Sequence, residues 1–140
     1  MKPYFLAPFV GWVVSGTVKF LINSFRFGKK ATERIGNGGL PSTHTTIMAT
    51  TSMWIGLEQG FSAPLFGLAV AVTFIVILDA TGLRRHVGMH AARINELTQQ
   101  PGLSLKNASK LRESMGHTYF EVGGGLALGM VLGLVLYWLY

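Results

Sequence analysis

One hundred and forty residues, 49% of them hydrophobic and only 13% charged, suit a single domain, 1–140, and so little charge, against about 25% in soluble proteins, excludes disorder and an ordinary solvated surface. With 18 glycines and a mean hydropathy of +0.40, the bilayer is the solvent this composition fits. The lack of cysteine excludes disulfides, thiolate catalysis and cysteine-ligated metal centres, while twelve Lys and Arg against six Asp and Glu leave a net charge of +6 for nucleic acid, an anionic membrane surface or a phosphorylated substrate.

The hydrophobic pattern predicts an all-α integral membrane helix bundle of about four transmembrane helices plus short interfacial helices. The first stretch, Tyr4 to about Ile22, is interrupted only by Lys19, whose stem can carry its ammonium to the interface. It lacks a convincing small-residue cleavage site and reads as an uncleaved span. The second, Thr45 to Leu57, is short and rich in threonine, as expected of a helix that faces protein or a polar cavity. The third, Ala63 to Leu78, is expected to end at Asp79, with the turn-prone Gly82 following. Pro101 and Gly102 then divide a long connection into an amphipathic helix near residues 84–99 and a shorter one near 105–115, both expected at the membrane surface. The fourth, Tyr119 to Tyr140, closes on Tyr137, Trp138 and Tyr140, rings suited to the headgroup boundary.

Two connections carry the positive charge: Arg26, Lys29, Lys30 and Arg34 in one, Arg84, Arg85, Arg93, Lys106, Lys110 and Arg112 in the other. Four spans place both on one side, opposite both termini, and the positive-inside rule makes that side cytoplasmic in a bacterial-type inner membrane. This charge lies beside membrane spans with no basic and aromatic platform, so nucleic acid is not an expected partner.

Four clusters point at phosphate. In Gly38-Gly39-Leu40-Pro41-Ser42-Thr43-His44, Ser42 or Thr43 is suited to cap the helix that follows. That helix end offers open N–H groups to an anion, and His44 in its first turn is placed to give or take a proton. The bland alternative is a capped turn with an interfacial histidine. Lys19 and Arg26 stand seven residues apart on one helix face and suit two oxygens of a phosphoryl group, unless they merely snorkel. Asp79-Ala80-Thr81-Gly82-Leu83-Arg84-Arg85-His86 brings an acid and two guanidiniums to the same depth; Asp79 is expected to pair with one arginine, leaving the other for a ligand. His86 and His90 have metal-ligand spacing without an acidic third ligand, and no metal or other cofactor is expected. Last, His117 and Glu121 share a helical face, so the carboxylate can hold Nδ1–H and leave Nε2 as nucleophile or base. Steps of four from Glu121 reach Gly125, Gly129 and Gly133, a small-residue groove that presses this face on another helix and offers a seam for a homo-oligomer.

In this order the residues resemble the divergent branch of the type 2 phosphatidic acid phosphatase superfamily, relatives of the vanadium haloperoxidases, over nearly the whole chain. Lys19 and Arg26 look like the lysine and arginine of its first motif. Pro41-Ser42-Thr43-His44 looks like Pro-Ser-Gly-His with threonine for glycine, and His117 with Glu121 looks like the final histidine and its acid, glutamate replacing aspartate. The Gly-Gly-x-Pro-Ser-x-His, Asp-Ala-x-Gly-x-Arg-Arg and Gly-His-x-x-x-Glu-Val segments are similar to the divergent branch itself. Phe27 stands where a proline usually follows the first arginine, and no arginine lies six residues before His117, so that role falls to Arg84 or Arg85, with Arg112 as substitute.

The resemblance implies a membrane lipid phosphate phosphatase with that family's helical core. Its substrate would be a polyprenyl phosphate or diphosphate or a phosphatidic-acid-like lipid. His117 would attack phosphorus, Glu121 would steady the imidazolium, and His44 would protonate the departing alkoxide. Lys19, Arg26, one of Arg84 and Arg85, and the helix end at Ser42 would hold the phosphoryl oxygens, with no metal required. The alternative is a catalytically silent protein that binds or translocates an anionic lipid and needs no nucleophile.

Overall fold

The computed structural model describes residues 2–28, 39–100 and 109–140. Those residues form an all-helical protein: α1 (Leu6–Phe27), α2 (Thr43–Gln59), α3 (Pro64–Leu78), a π-helical segment (Asp79–Leu83), α4 (Arg84–Thr98) and α5 (Tyr119–Leu139). Three helical stretches among them are long and apolar enough to cross a membrane: Leu6–Arg26, the continuous Pro64–Thr98, and Tyr119–Leu139.

The second expected span takes a different part. With 17 residues, α2 rises about 25 Å, at the short end of what a hydrocarbon core requires. It is the central helix, packed on α1, α3 and α5, and it buries Thr45, Thr46, Thr50 and Ser52. Its hydroxyls are satisfied locally: Thr46 and Thr50 donate to the carbonyls of Ser42 and Thr46 at 2.9 and 2.8 Å, and Ser52 shares a 2.9 Å bond with Thr73 of α3. Self-satisfied hydroxyls let a polar helix sit among apolar ones at little cost.

Small residues set how closely α5 approaches α2. A Cβ on Gly125 would stand 2.7 Å from the Ser42 carbonyl oxygen, one on Gly129 2.5 Å from Ala49 Cβ, and one on Gly133 2.6 Å from Met53 Cβ. The two backbones are therefore in contact over three successive turns. The stripe expected as a seam between copies is instead filled by α2 of the same chain.

At one end of the bundle the N-terminal segment, the end of α2 and the end of α5 meet. Lys2 pairs with Glu58 at 2.6 Å and lies 5.1 Å from the centre of the Tyr137 ring, while Tyr4 and Tyr140 flank the buried Trp54 at 5.1 and 5.9 Å. This is the end predicted to hold both termini, although Lys2 has an acidic partner there.

Two connections depart from expectation. The helix does not stop at Asp79; it passes through the π segment into α4 and runs 35 residues to Thr98. Leu78, Asp79, Leu83 and Arg84 all keep right-handed helical dihedrals, so the extra residue is absorbed as a wider turn. Residues 109–115, assigned to a short helix from sequence, are not helical. They run back along α4, where Asn95 clasps them: its amide donates to the Leu111 carbonyl and the Glu113 carboxylate, both at 2.8 Å, and its oxygen accepts from Leu111 N–H at 2.9 Å. Gly88 leaves room for this crossing, since a Cβ there would stand 2.5 Å from the Glu113 carbonyl oxygen. Lys29, Lys30, Arg34, Gly38, Pro101, Gly102 and Lys106 lie outside the described residues.

Candidate active site

His117 is fixed from three directions. Gly116, at φ +89°, turns the returning chain in a conformation that side chains disfavour, and a Cβ there would stand 2.6 Å from Arg85 Cγ. The His117 N–H then donates to the Ala80 carbonyl of the π segment at 2.9 Å. Its ring is buried, with Nδ1 3.0 Å from Glu121 Oε2. An ionised carboxylate can only accept, so this bond places the proton on Nδ1 and leaves the Nε2 lone pair open.

Glu121 Oε2 serves a second bond. It accepts from Thr118 N–H at 2.9 Å while Thr118 Oγ1 accepts from Glu121 N–H at 3.3 Å, closing a capping box at the start of α5. The Thr-x-x-Glu signature of that box stands in the sequence, where the same Glu121 also carries the spacing that pairs it with His117.

A neighbouring helix start completes this corner. Ser42 N–H donates to the Glu121 carbonyl at 2.9 Å, tying the loop before α2 to the first turn of α5. Ser42 caps α2, its hydroxyl meeting Thr45 N–H and accepting from Thr45 Oγ1 at 2.9 Å. The residue is fully buried, and its side chain serves as the cap of α2. The N–H groups of Thr43 and His44 remain without partners among the described residues, at the positive end of the α2 dipole. His44 is exposed in that first turn.

The cations sort themselves. Lys19 of α1, half-buried, is within electrostatic reach of Glu121, His117 and His44. Arg84 is likewise within reach of both histidines, and its Nε is held 2.5 Å from Asp79 Oδ2. The ion pair expected between Asp79 and one arginine therefore forms with the arginine that also faces the histidines. Arg85 is exposed, with its stem against Gly116, and Arg26 is exposed two turns beyond Lys19. Arg112 is exposed on the returning strand. His86 and His90 are exposed on α4, and among the described residues no three His, Cys, Asp or Glu side chains gather as ligands for a metal ion.

Burial holds the His117 ring below the ordinary histidine pKa, chiefly by penalising its charged form. The bond from Glu121 acts the other way, and the Lys19 and Arg84 charges reinforce the lowering. At neutral pH the ring is neutral, the state a nucleophile needs. The corner thus combines a nucleophile-competent imidazole, its carboxylate, a second histidine, two cations and an open helix start.

The chain belongs to the Divergent PAP2 family, whose sequence pattern matches residues 1–132. It is 34% identical over 111 residues to a protein of Bacillus subtilis (strain 168) described as uncharacterized membrane protein YuiD, an alignment covering 71% of this chain and 70% of that one. No solved structure matches it. Family and fold together make this a PAP2-like integral membrane protein.

Proposed function

We propose that this member of the Divergent PAP2 family is a lipid phosphate phosphatase working through a phosphohistidine. The observation that carries the reading is the buried His117 ring held by Glu121 beside Lys19, Arg84 and His44. His117 Nε2 attacks phosphorus; the N–P bond forms as the P–O bond to the lipid alcohol breaks, and His44 protonates the leaving alkoxide. His44 then takes a proton from water, whose oxygen attacks phosphorus, breaks the N–P bond and releases inorganic phosphate. Lys19, the terminal nitrogens of Arg84 and the open N–H groups of Thr43 and His44 stabilise the phosphoryl oxygens, which is the main catalytic task in such a transfer. Neither step uses a metal ion.

A bilayer-embedded protein with a phosphate site at one end of its bundle suits a substrate with its head at the interface and its chain in hydrocarbon, such as a polyprenyl phosphate or diphosphate or a phosphatidic-acid-like lipid. The basic residues flank this same end, so the site opens to the cytoplasm of a bacterial-type inner membrane.

The test is phosphate release from these lipids in micelles containing EDTA, with His117→Ala as the comparison. Activity lost in a variant that keeps its helical content supports the nucleophile. A phosphorylated adduct that survives alkali and is released by acid, present in the wild type and absent from the variant, identifies the intermediate. Undiminished turnover by His117→Ala refutes the mechanism, and lipid binding without turnover by the wild type gives the silent lipid binder.

A further inference from the structure

The cytoplasmic-end half of the 35-residue helix carries a feature the site does not use. Among the described residues α4 packs on the π segment and the returning strand, with no substantial packing on α1, α2 or α5. The face turned to that strand holds Gly88, Ala91 and Asn95. A different face holds Leu83, Val87, His90, Ile94 and Leu97, all exposed, the four apolar ones by 65, 41, 46 and 52%. Their spacings are four, three, four and three residues, the interval of a coiled-coil seam.

We infer that the face formed by Leu83 at the end of the π segment and by Val87, His90, Ile94 and Leu97 of α4 pairs with the same face of a second copy, as a parallel two-stranded coiled coil standing on the membrane. Four observations select this occupant. The whole helix is about 52 Å long and a hydrocarbon core about 30 Å, so roughly 20 Å emerges. Helical dihedrals at both ends of the π segment carry the rod onward, whereas laying α4 on the bilayer requires a sharp bend there. Val87 and Ile94 fall at the positions where β-branched residues favour two strands, and Leu83 and Leu97 at the positions where leucine does. Across such a parallel pair His86 would face Ala91 and Arg93 would face Thr98, so no like charges oppose each other at the flanks. Two copies inserted in one orientation are parallel from the outset, and confinement to one bilayer raises their effective concentration enough for a short coil. His90, the one polar residue of the seam, sets its register. The inference does not depend on the phosphatase reading.

Because the chain lacks cysteine, single-thiol variants test it directly. Val87→Cys, Ile94→Cys and Leu97→Cys are oxidised in native membranes beside Met89→Cys and Glu96→Cys, which lie on another face. In a parallel pair each seam thiol meets its own copy within the ~6–7 Å a disulfide spans, while the other two are separated by more than a helix diameter of about 10 Å. The expected result is about tenfold more disulfide-linked dimer at 87, 94 and 97 than at 89 and 96. Equal cross-linking at all five positions overturns the inference. So do seam thiols that react freely with a water-soluble maleimide. Seam thiols shielded from that reagent yet not cross-linked also overturn it, and assign the face to the bilayer, to residues 101–108 or to a different protein. Independently, the unmodified protein in mild detergent should have the mass of a dimer and Ile94→Asp/Leu97→Asp that of a monomer; an unmodified protein that is monomeric at every concentration overturns the inference as well.

Discussion

Alanine at Gly129 and alanine at Gly123, six residues apart on α5, are expected to have different consequences for stability. At Gly129 the new Cβ would stand 2.5 Å from Ala49 Cβ, 2.7 Å from the Thr46 carbonyl oxygen and 2.9 Å from Thr50 N. All three atoms belong to the α2 backbone or are bonded to it, so no side-chain rotation relieves the overlap and the helices must part by roughly 1 Å to restore ordinary contact. Overpacking of this kind costs about 1–3 kcal/mol. At Gly123 nothing lies within 4 Å of the added atom. Both changes gain the same advantage of alanine over glycine in a helix, up to about 1 kcal/mol. That gain cancels in the comparison, leaving Gly129→Ala less stable than Gly123→Ala by the overpacking cost of about 1–3 kcal/mol. Denaturant titration of the two variants in detergent micelles, followed by circular dichroism, measures the difference. Equal stability would show that α2 and α5 are not in backbone contact and that the seam within the chain is wrongly drawn. Phosphate release should also fall in Gly129→Ala, because displacing α2 strains the bond from Ser42 N–H to the Glu121 carbonyl that aligns the two helix starts.

Glu121→Gln keeps an acceptor oxygen for Nδ1–H and for Thr118 N–H but removes the charge. Exchanging a charged hydrogen bond for a neutral one loses about 1–2 kcal/mol, so kcat should fall roughly 5–30-fold with KM little changed, and an unaltered kcat would refute the orienting role. Asn95→Ala removes all three bonds of the clasp, and limited proteolysis should then cut within residues 109–116 faster than in the wild type, with activity lost in parallel because the strand leads into His117. The buried His117 ring predicts two effects of pH. With its pKa held below 6.5, the acid limb of kcat/KM attributable to this ring lies below that value. The unfolded chain binds this proton more readily than the folded one, so the ring costs no stability above about pH 6.5 and destabilises the fold increasingly as pH falls toward its folded pKa. His117→Ala should flatten that dependence, and a wild-type stability that instead rises on acidification through this window, relative to the variant, would contradict the burial.

Legibility in the sequence followed the kind of interaction involved. Runs of apolar residues declared α1, α3 and α5, because hydrophobic length is what a bilayer reads. The threonine-rich second stretch was recognisable as facing protein, since hydroxyl-rich helices avoid bare lipid, although its place at the centre of the bundle depends on which neighbours cover it. The π segment left no mark: Asp79 and Gly82 are ordinary helix-ending signals, and the Asp79–Arg84 pair that bridges the junction is a tertiary outcome. Residues 109–115 have helix-compatible composition, yet they are not helical, and Asn95, sixteen residues before Leu111, holds them against α4. Spacing alone pointed to His117 with Glu121. Which of Arg84 and Arg85 faces the histidines is not legible from spacing, because adjacent residues on a helix project about 100° apart and only the start of the helix fixes their directions.

The capping box at the start of α5 offers a bland account of Glu121, and the geometry limits how much it explains. Thr118 and Glu121 close that box by themselves, and the helix end needs no histidine. A buried imidazole beside two cations, by contrast, is unfavourable when protonated and yields its hydrogen-bonding cost only if both its polar edge and its backbone find partners. Here the edge is met by Glu121 of α5 and the backbone N–H by Ala80 of the π segment. Glu121 Oε2 is therefore shared between a bond that starts the helix and a bond that selects the tautomer of His117. The consequence is a coupling: whatever frays the first turn of α5 also frees the ring, so stability of that turn and availability of the Nε2 lone pair rise and fall together.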